Sequence, residues 1–363
     1  MADCRRNTKS GYAKTRRRRR KKRRGSPLAA VLIVFLALVL VIGGSLFYLS
    51  NRMLNRIERV DKEQEVWLSP EEAAAMPLDE EEEFSEDGGG AGKEDTITPE
   101  ELVWTKPVQA AKNPKVKTIL LIGQDRRPGE LRARSDSMIL CSLNESSGDI
   151  TLVSLMRDMY VPYPGDYLAS RINHAYTWGG MSLLNQVIEE DFGVVVDGNV
   201  EVDFNGFIQV MNLIAPLEIE LKSYEVSYMN GGTDWNLHQG VNQLNGEQLL
   251  RYARMRYAGH GDWERTERQR TVLLKAFEKA RKLSLKELNS LAEAALSCLT
   301  TDMSNADIFN LIYTVVMNRM VIGGTYRLPV DGTYSEEMIR GMAVLVPDLQ
   351  VNSEYLHRYI YGN

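Results

Sequence analysis

Cysteine and histidine are scarce in this chain, with three of the first and four of the second among 363 residues. Cys4, Cys141 and Cys298 form no CxxC pair and no disulfide framework, which excludes a zinc knuckle and a disulfide-stapled scaffold. Cys141 and Cys298 could pair with each other, but read more simply as two buried free thiols, packed as small hydrophobes. His174, His238, His260 and His357 show no metal-like pairing. There is no GxSxG elbow, Walker loop, HExxH helix or GxGxxG turn. Ser154 precedes no plausible base, so covalent catalysis through Ser or Cys is disfavoured.

Charge is unevenly distributed. Residues 1–27 hold 13 Lys and Arg against Asp3, a net of +12 in a chain whose total is −5. Residues 60–105 hold 16 Asp and Glu against Lys62 and Lys93. Between these regions runs Leu28 to Leu49, which carries no charge and is long enough to cross a hydrocarbon core of roughly 30 Å. The basic run Arg16–Arg24 precedes it, so the positive-inside rule places the N-terminus in the cytoplasm and the remainder outside. The apolar run is long, and no A-x-A-like site follows it, which favours a signal-anchor over a cleaved leader. Topology and anionic lipid headgroups account for the basic run, and nucleic acid is not an expected partner.

The sequence therefore divides into a basic cytoplasmic tail (1–27), a transmembrane segment (28–49), an acidic extracytoplasmic linker (50–105) and a globular domain (106–363). The linker composition predicts a self-repelling, extended spacer, with a short helix near Ser69–Ala75 from its Ser-Pro-Glu-Glu start.

From Lys106 onward, apolar runs at Thr118–Gly123, Met138–Leu143 and Ile150–Leu155 predict buried strands, the last two joined by a hairpin turn. Helices are expected at Leu183–Phe192, Phe204–Leu213, Asn245–Arg256, Glu264–Lys282, Leu285–Leu299 and Ala306–Asn318. Strands are expected at Val200–Asp203, Leu217–Leu221 and Tyr326–Val330. Interleaved strands and helices argue an α/β or α+β layered domain.

Arginines and aspartates cluster at the junctions between these elements. Asp125 follows the first strand, Arg134 and Asp136 precede the second, and Arg157 and Asp158 end the third. Arg254 and Arg256 end a helix, and Asp262, Arg265, Arg268 and Gln269 open the next. Ligands of open α/β sheets bind off the carboxyl ends of strands. Arginine forks match phosphate oxygens, and a few carboxylates beside phosphates suit Mg²⁺, so this set is compatible with a pyrophosphate–Mg²⁺ site. Each Arg taken singly also fits a salt-bridged surface residue. His174 could touch substrate, although a hydrogen-bonded structural histidine is the plainer reading.

Eight strings in order resemble the LytR-CpsA-Psr family over about residues 117–282. They are Ile122-Gly-Gln-Asp, Arg134-Ser-Asp-Ser-Met, Ser154-Leu-Met-Arg-Asp, Arg171-Ile-Asn-His-Ala-Tyr, Val202-Asp-Phe-Asn-Gly-Phe, Gly240-Val-Asn-Gln-Leu-Asn-Gly-Glu-Gln-Leu-Leu, Tyr252-Ala-Arg-Met-Arg and Asp262-Trp-Glu-Arg-Thr-Glu-Arg-Gln-Arg. The resemblance implies an α-β-α sandwich around a central mixed sheet, with a deep hydrophobic channel. It implies a phosphotransferase that moves a glycopolymer from undecaprenyl pyrophosphate to peptidoglycan, in the envelope of a Gram-positive bacterium. By the same resemblance Asp125 and Asp136 would hold Mg²⁺, and Arg134, Arg157, Arg254, Arg256 and Arg265 would grip the pyrophosphate. Asp262 and Gln269 would orient those arginines or the leaving phosphate, and Asp125, Arg157 and Asp262 would form the catalytic set.

Two positions depart from the family pattern: Met156 replaces a usual proline, and Ala215-Pro216 replaces a usual Gly-Gly. Alternatives are a non-catalytic polyprenyl-phosphate-binding module and a polyprenyl-pyrophosphate hydrolase. Transcriptional attenuation is disfavoured, because a tail of 27 residues offers no DNA-binding fold on the cytoplasmic side.

Overall fold

The computed structural model describes residues 54–61, 64–76, 94–109, 113–124, 132–256, 261–284, 286–287, 290–291 and 295–362. The expected membrane segment at 28–49 and Asp125 lie outside them. Among the described residues, no helix is long and apolar enough to cross a membrane.

The apolar runs form a seven-stranded mixed sheet in the order β1-β10-β7-β2-β3-β4-β11. Its centre is β2 (Val116–Gln124), β3 (Ser135–Asn144) and β4 (Asp149–Leu155), paired antiparallel in sequence order. β7 (Gly198–Asp203) joins β2 in parallel, and β11 (Val321–Leu328) joins β4 in parallel. β10 (Thr300–Thr301) runs antiparallel to β7, and β1 (Glu58–Arg59) closes that edge in parallel. β5 (Tyr160–Val161) with β6 (Ser170–Arg171), β8 (Leu217–Leu221) with β9 (Gly240–Leu244), and β12 (Tyr334–Ile339) with β13 (Met342–Pro347) form two-stranded ribbons.

Alternation along the central strands loads both faces of the sheet. Leu120, Ile122, Met138, Leu140, Val153 and Leu155 face a core completed by helix α2 (His174–Phe192) and helix α8 (Leu349–Tyr361). Ile119, Ile139, Leu143, Ile150 and Leu152 face the opposite way. There they meet Leu273 and Phe277 of α6 (Gly261–Ala280) and Ile308, Leu311 and Val315 of α7 (Asn305–Met317). The result is a helix-sheet-helix sandwich. A separate cluster ties α3 (Phe204–Ile214), α4 (Ser223–Asn230) and α5 (Gly246–Arg254) to the β8–β9 ribbon.

Where the acidic stretch is described, it lies against the domain rather than extending away from it. Ser69 caps α1 (Pro70–Ala75) through a capping box with Glu72, as the sequence predicts. Trp67, Leu68, Ile97, Leu102 and Trp104 meet domain side chains, and these few apolar anchors offset the repulsion that composition alone emphasises. Glu65 does more than pack. The backbone of α2 breaks at Gly180, which takes a left-handed φ of 69°, and the Glu65 carboxylate accepts from the N–H groups of Met181 (3.0 Å) and Ser182 (2.7 Å) beyond the break. It caps the restarted helix, satisfying donors that would otherwise lack partners.

Within the expected helix at 285–299, the described residues 286–287, 290–291 and 295 are helical, and the segment ends in a 3₁₀ turn at Leu296–Cys298. Neither Cys141 nor Cys298 is in a disulfide; both are half-buried, and burial pushes the Cys141 thiol up to about 12.

Near the end of α2, the buried Asp191 has an Oδ2 without a hydrogen-bond partner. Burial, with Glu190 adding, raises its carboxyl to about 8. A raised carboxyl stabilises the fold fully below the unfolded value of about 4, and that contribution is lost as pH rises through the folded value. Asp191→Asn should therefore raise the melting temperature at pH 8 by several degrees and change it little at pH 4, as read by calorimetry.

Candidate active site

β4 ends at Leu155 and the chain turns at once, with Met159 N–H donating to Met156 O at 3.2 Å. Met156 is buried, and its N–H donates to Leu328 O at the end of β11 (2.9 Å). The proline usual at this position in the family could not make that bond. Arg157 and Asp158 occupy the turn, off the carboxyl end of β4, and both side chains are buried.

The Arg157 guanidinium is held by three carboxylates from three elements. Nη1 donates to Asp136 Oδ1 at the start of β3 (3.0 Å), and Nε donates to Asp262 Oδ2 at the start of α6 (3.1 Å). Asp158 Oδ1 lies 3.6 Å from Nε. The pattern continues outward on both sides. Arg171 of β6 donates through Nη1 to Asp158 Oδ1 at 3.0 Å. Arg265 donates through Nη2 to Asp262 Oδ2 at 3.3 Å, and Arg256 Nε is 3.7 Å from Asp262 Oδ1. Arg134 is half-buried within electrostatic reach of Asp136 and Arg157.

Burial alone would raise the Asp262 carboxyl. Arg265, Arg157, a hydrogen bond with Asp158 and Arg256 together outweigh it and hold the group below the usual carboxylate range. Burial raises the neighbouring Asp158, opposed by Arg157 and reinforced by the Asp262 charge. Asp262 thus stays ionised at the hub of three guanidiniums.

A second, buried ion cluster fixes the helix end that carries Arg256. Arg268 donates through Nε to Glu225 Oε1 (2.7 Å), through Nη2 to Glu264 Oε2 (2.6 Å) and through Nη1 to Met255 O (2.9 Å). This ties α4, the end of α5 and α6 together at the residue between Arg254 and Arg256. The Arg254 guanidinium lies over the Phe204 ring at 4.0 Å. On β2, Gln124 donates to the buried Glu201, which also accepts from Tyr176, while Gln124 Oε1 accepts from Ala133 N–H at 3.0 Å. Gln124 thereby fixes the residue before Arg134.

Arg134, Asp136, Arg157, Arg256, Asp262 and Arg265 are thus brought together. Gln269, expected to orient an arginine, instead accepts from Ser137 Oγ at 3.0 Å. His174 is structural as expected, buried with Nδ1 2.8 Å from Ser170 Oγ and its ring 5.4 Å from that of Trp178. Ser154 is strand interior and accepts from the buried Arg270 at 2.7 Å. Sequence reading did not single out Arg171 as a partner of Asp158. The signal was present in the alternation of Arg157-Asp158 with a second buried Arg after a short ribbon.

Among the described residues, no group of three or more His, Cys, Asp or Glu is placed to hold a metal ion. Beside phosphates, Mg²⁺ takes one or two carboxylates, with the remaining ligands from phosphate and water. Of the two carboxylates expected to hold it, Asp136 is partly open to solvent with one oxygen engaged by Arg157, and Asp125 lies outside the described residues.

A family model described as the LytR_cpsA_psr family matches residues 86–353. The chain belongs to the LytR-CpsA-Psr family. Within it, the chain is 32% identical over 194 residues to a protein of Enterococcus faecalis named polyisoprenyl-teichoic acid–peptidoglycan teichoic acid transferase TagU, covering 52% of this chain and 62% of that one. It is 34% identical over 183 residues to the protein of the same name from Oceanobacillus iheyensis, covering 48% and 55%. The chain thus spans less than two thirds of the length of these relatives. Among solved LytR-CpsA-Psr structures, TagT bound to LI-WTA matches with a TM-score of 0.56 at 25% identity, covering 70% of this chain and 96% of that one. A structure of TagT with bound octaprenyl pyrophosphate lipid matches with a TM-score of 0.52 at 24% identity, covering 70% of this chain and 96% of that one, and shows the shared fold.

Proposed function

We propose that this protein is a membrane-anchored phosphotransferase that moves a glycopolymer from a polyprenyl-pyrophosphate carrier to peptidoglycan. One observation carries the reading. Among the described residues, the guanidiniums of Arg134, Arg157, Arg171, Arg256 and Arg265 gather around the carboxylates of Asp136, Asp158 and Asp262 at the end of β4. Guanidinium forks gathered at one strand end suit the bidentate binding of phosphate oxygens, which a pyrophosphate would supply. The names of the teichoic acid transferase relatives support the same substrate class.

In the reaction, an acceptor hydroxyl oxygen bonds to the phosphorus that carries the glycan. The bond from that phosphorus to the bridging oxygen breaks, and polyprenyl phosphate leaves. Guanidiniums of Arg157, Arg256 and Arg265 face the charge that accumulates on the transferring group and the leaving phosphate. Asp262 positions all three. Asp125, one residue beyond the end of β2, is assigned the hydroxyl proton. Mg²⁺, when bound, would be held by Asp136 and Asp125 and would neutralise phosphate oxygens. Residues 28–49 serve as the anchor, with the domain on the extracytoplasmic side beside its lipid-linked donor.

The test uses the full chain in vesicles with a synthetic polyprenyl-pyrophosphate glycan, Mg²⁺ and peptidoglycan fragments, followed by mass spectrometry. Glycan-phosphate on the fragments, lost in Asp136→Ala, is the expected result. Release of glycan phosphate to water alone would make the protein a hydrolase. Donor binding with no turnover would make it a binding module.

A further inference from the structure

The α7 helix has two apolar stripes where one would suffice. Ile308, Leu311 and Val315 face the sheet. Phe309, Ile312, Tyr313, Val316 and Met317 recur at three- and four-residue spacing on another face and are all exposed. No residue of this helix is fully buried. Asp307, Asn310 and Thr314 form a third, polar face. Five large apolar side chains on one exposed helix face mark a contact surface rather than scattered exposure.

The polypeptide itself indicates what that surface meets. Asn305 opens α7, and its Nδ2 donates to Asn55 Oδ1 at 2.6 Å. Arg59 donates to Met303 O and to Asn305 Oδ1, and Val60 N–H donates to Thr301 O at 3.0 Å. The start of α7 is therefore pinned to Asn55, six residues after the apolar run ends at Leu49. Six residues span at most about 20 Å. The helix, at 1.5 Å per residue, is itself about 20 Å long. Arg319, just past its end, is exposed and suited to lipid phosphates at the depth where an amphipathic helix lies.

We propose that α7 is an interfacial helix whose Phe309–Met317 stripe lies in the outer leaflet of the bilayer that anchors the chain. The inference rests on residues 28–49 being that anchor. It adds a second lipid contact, at the opposite end of the sequence from the anchor, which limits how the domain can rotate over the membrane.

The experiment reconstitutes the full chain in phosphatidylglycerol–phosphatidylethanolamine vesicles containing a phospholipid with a diazirine on its acyl chain. After irradiation, lipid adducts are mapped by peptide mass spectrometry. Adducts are expected both within 28–49 and within 309–317. Ile312→Ser with Val316→Ser, both at exposed positions, should lose most of the α7 adducts and keep those in 28–49. Adducts confined to 28–49 would overturn the proposal and leave the anchor standing. A dimer joined through α7 by an added bifunctional cross-linker, with α7 carrying no lipid adducts, would overturn it in favour of a second copy. Adducts in neither segment would overturn both readings, and adducts in α7 alone would remove the anchor on which the proposal rests and overturn it.

Discussion

Arg157→Lys is expected to leave the protein folded and to slow glycopolymer transfer by about a hundredfold or more. Lysine keeps the positive charge that Asp136, Asp158 and Asp262 surround, so the buried carboxylates retain a counter-ion. It loses the planar fork, which here reaches Asp136 through Nη1 and Asp262 through Nε at the same time. A single ammonium cannot hold both carboxylates and face a phosphate as well. Arg157→Ala is the poorer test, because removing one partner of a buried ion pair costs about 3–5 kcal/mol and would confound folding with chemistry. Transfer rates from the donor–acceptor assay, paired with melting temperatures, separate the two effects. Lysine-variant transfer within a few-fold of wild type would remove Arg157 from the site.

The second large effect concerns a residue with no direct part in the chemistry. Arg268→Ala should destabilise the domain by about 3–5 kcal/mol, lowering the melting temperature by about 10 °C. Arg268 is buried, its two acidic partners come from different helices, and its third bond fixes the Met255 carbonyl. Losing it strands Glu225, which is also buried. Arg268→Met combined with Glu225→Leu should recover much of the loss, because the fully buried carboxylate goes with its partner and the remaining one, Glu264, is partly open to solvent. If the single and double variants melt alike, the cluster is not a stabilising unit. Transfer by the double variant should still be impaired, since Met255, between Arg254 and Arg256, has lost its clamp.

The central sheet was legible because its strands are continuous apolar runs, and β2, β3 and β4 lie where the pattern places them. The two-residue strands were not. Glu58–Arg59 and Thr300–Thr301 are too short to carry any period, and their pairing is fixed by contacts across the whole domain. Leu349–Tyr361 was missed because the reading relied on motifs that end near residue 282. At the site, the sequence showed arginines and aspartates at element ends, and the family strings gave them roles. Chemistry alone could not say that Asp262 serves three guanidiniums or that Gln269 meets Ser137, because both depend on how the start of α6 faces β3 and the turn after β4.

The edge strand β1 has a consequence for how the molecule is made. It pairs with Thr300–Thr301, and the other sheet edge, β11, begins at Val321. A ribosome that has released two thirds of the chain has not yet supplied a partner for Glu58–Arg59 or a neighbour for the outer side of β4. Contacts this distant in sequence are slow to form. The nascent polypeptide therefore presents two unpaired strand edges until its last sixty or so residues emerge. A chaperone would find those edges available only in that interval.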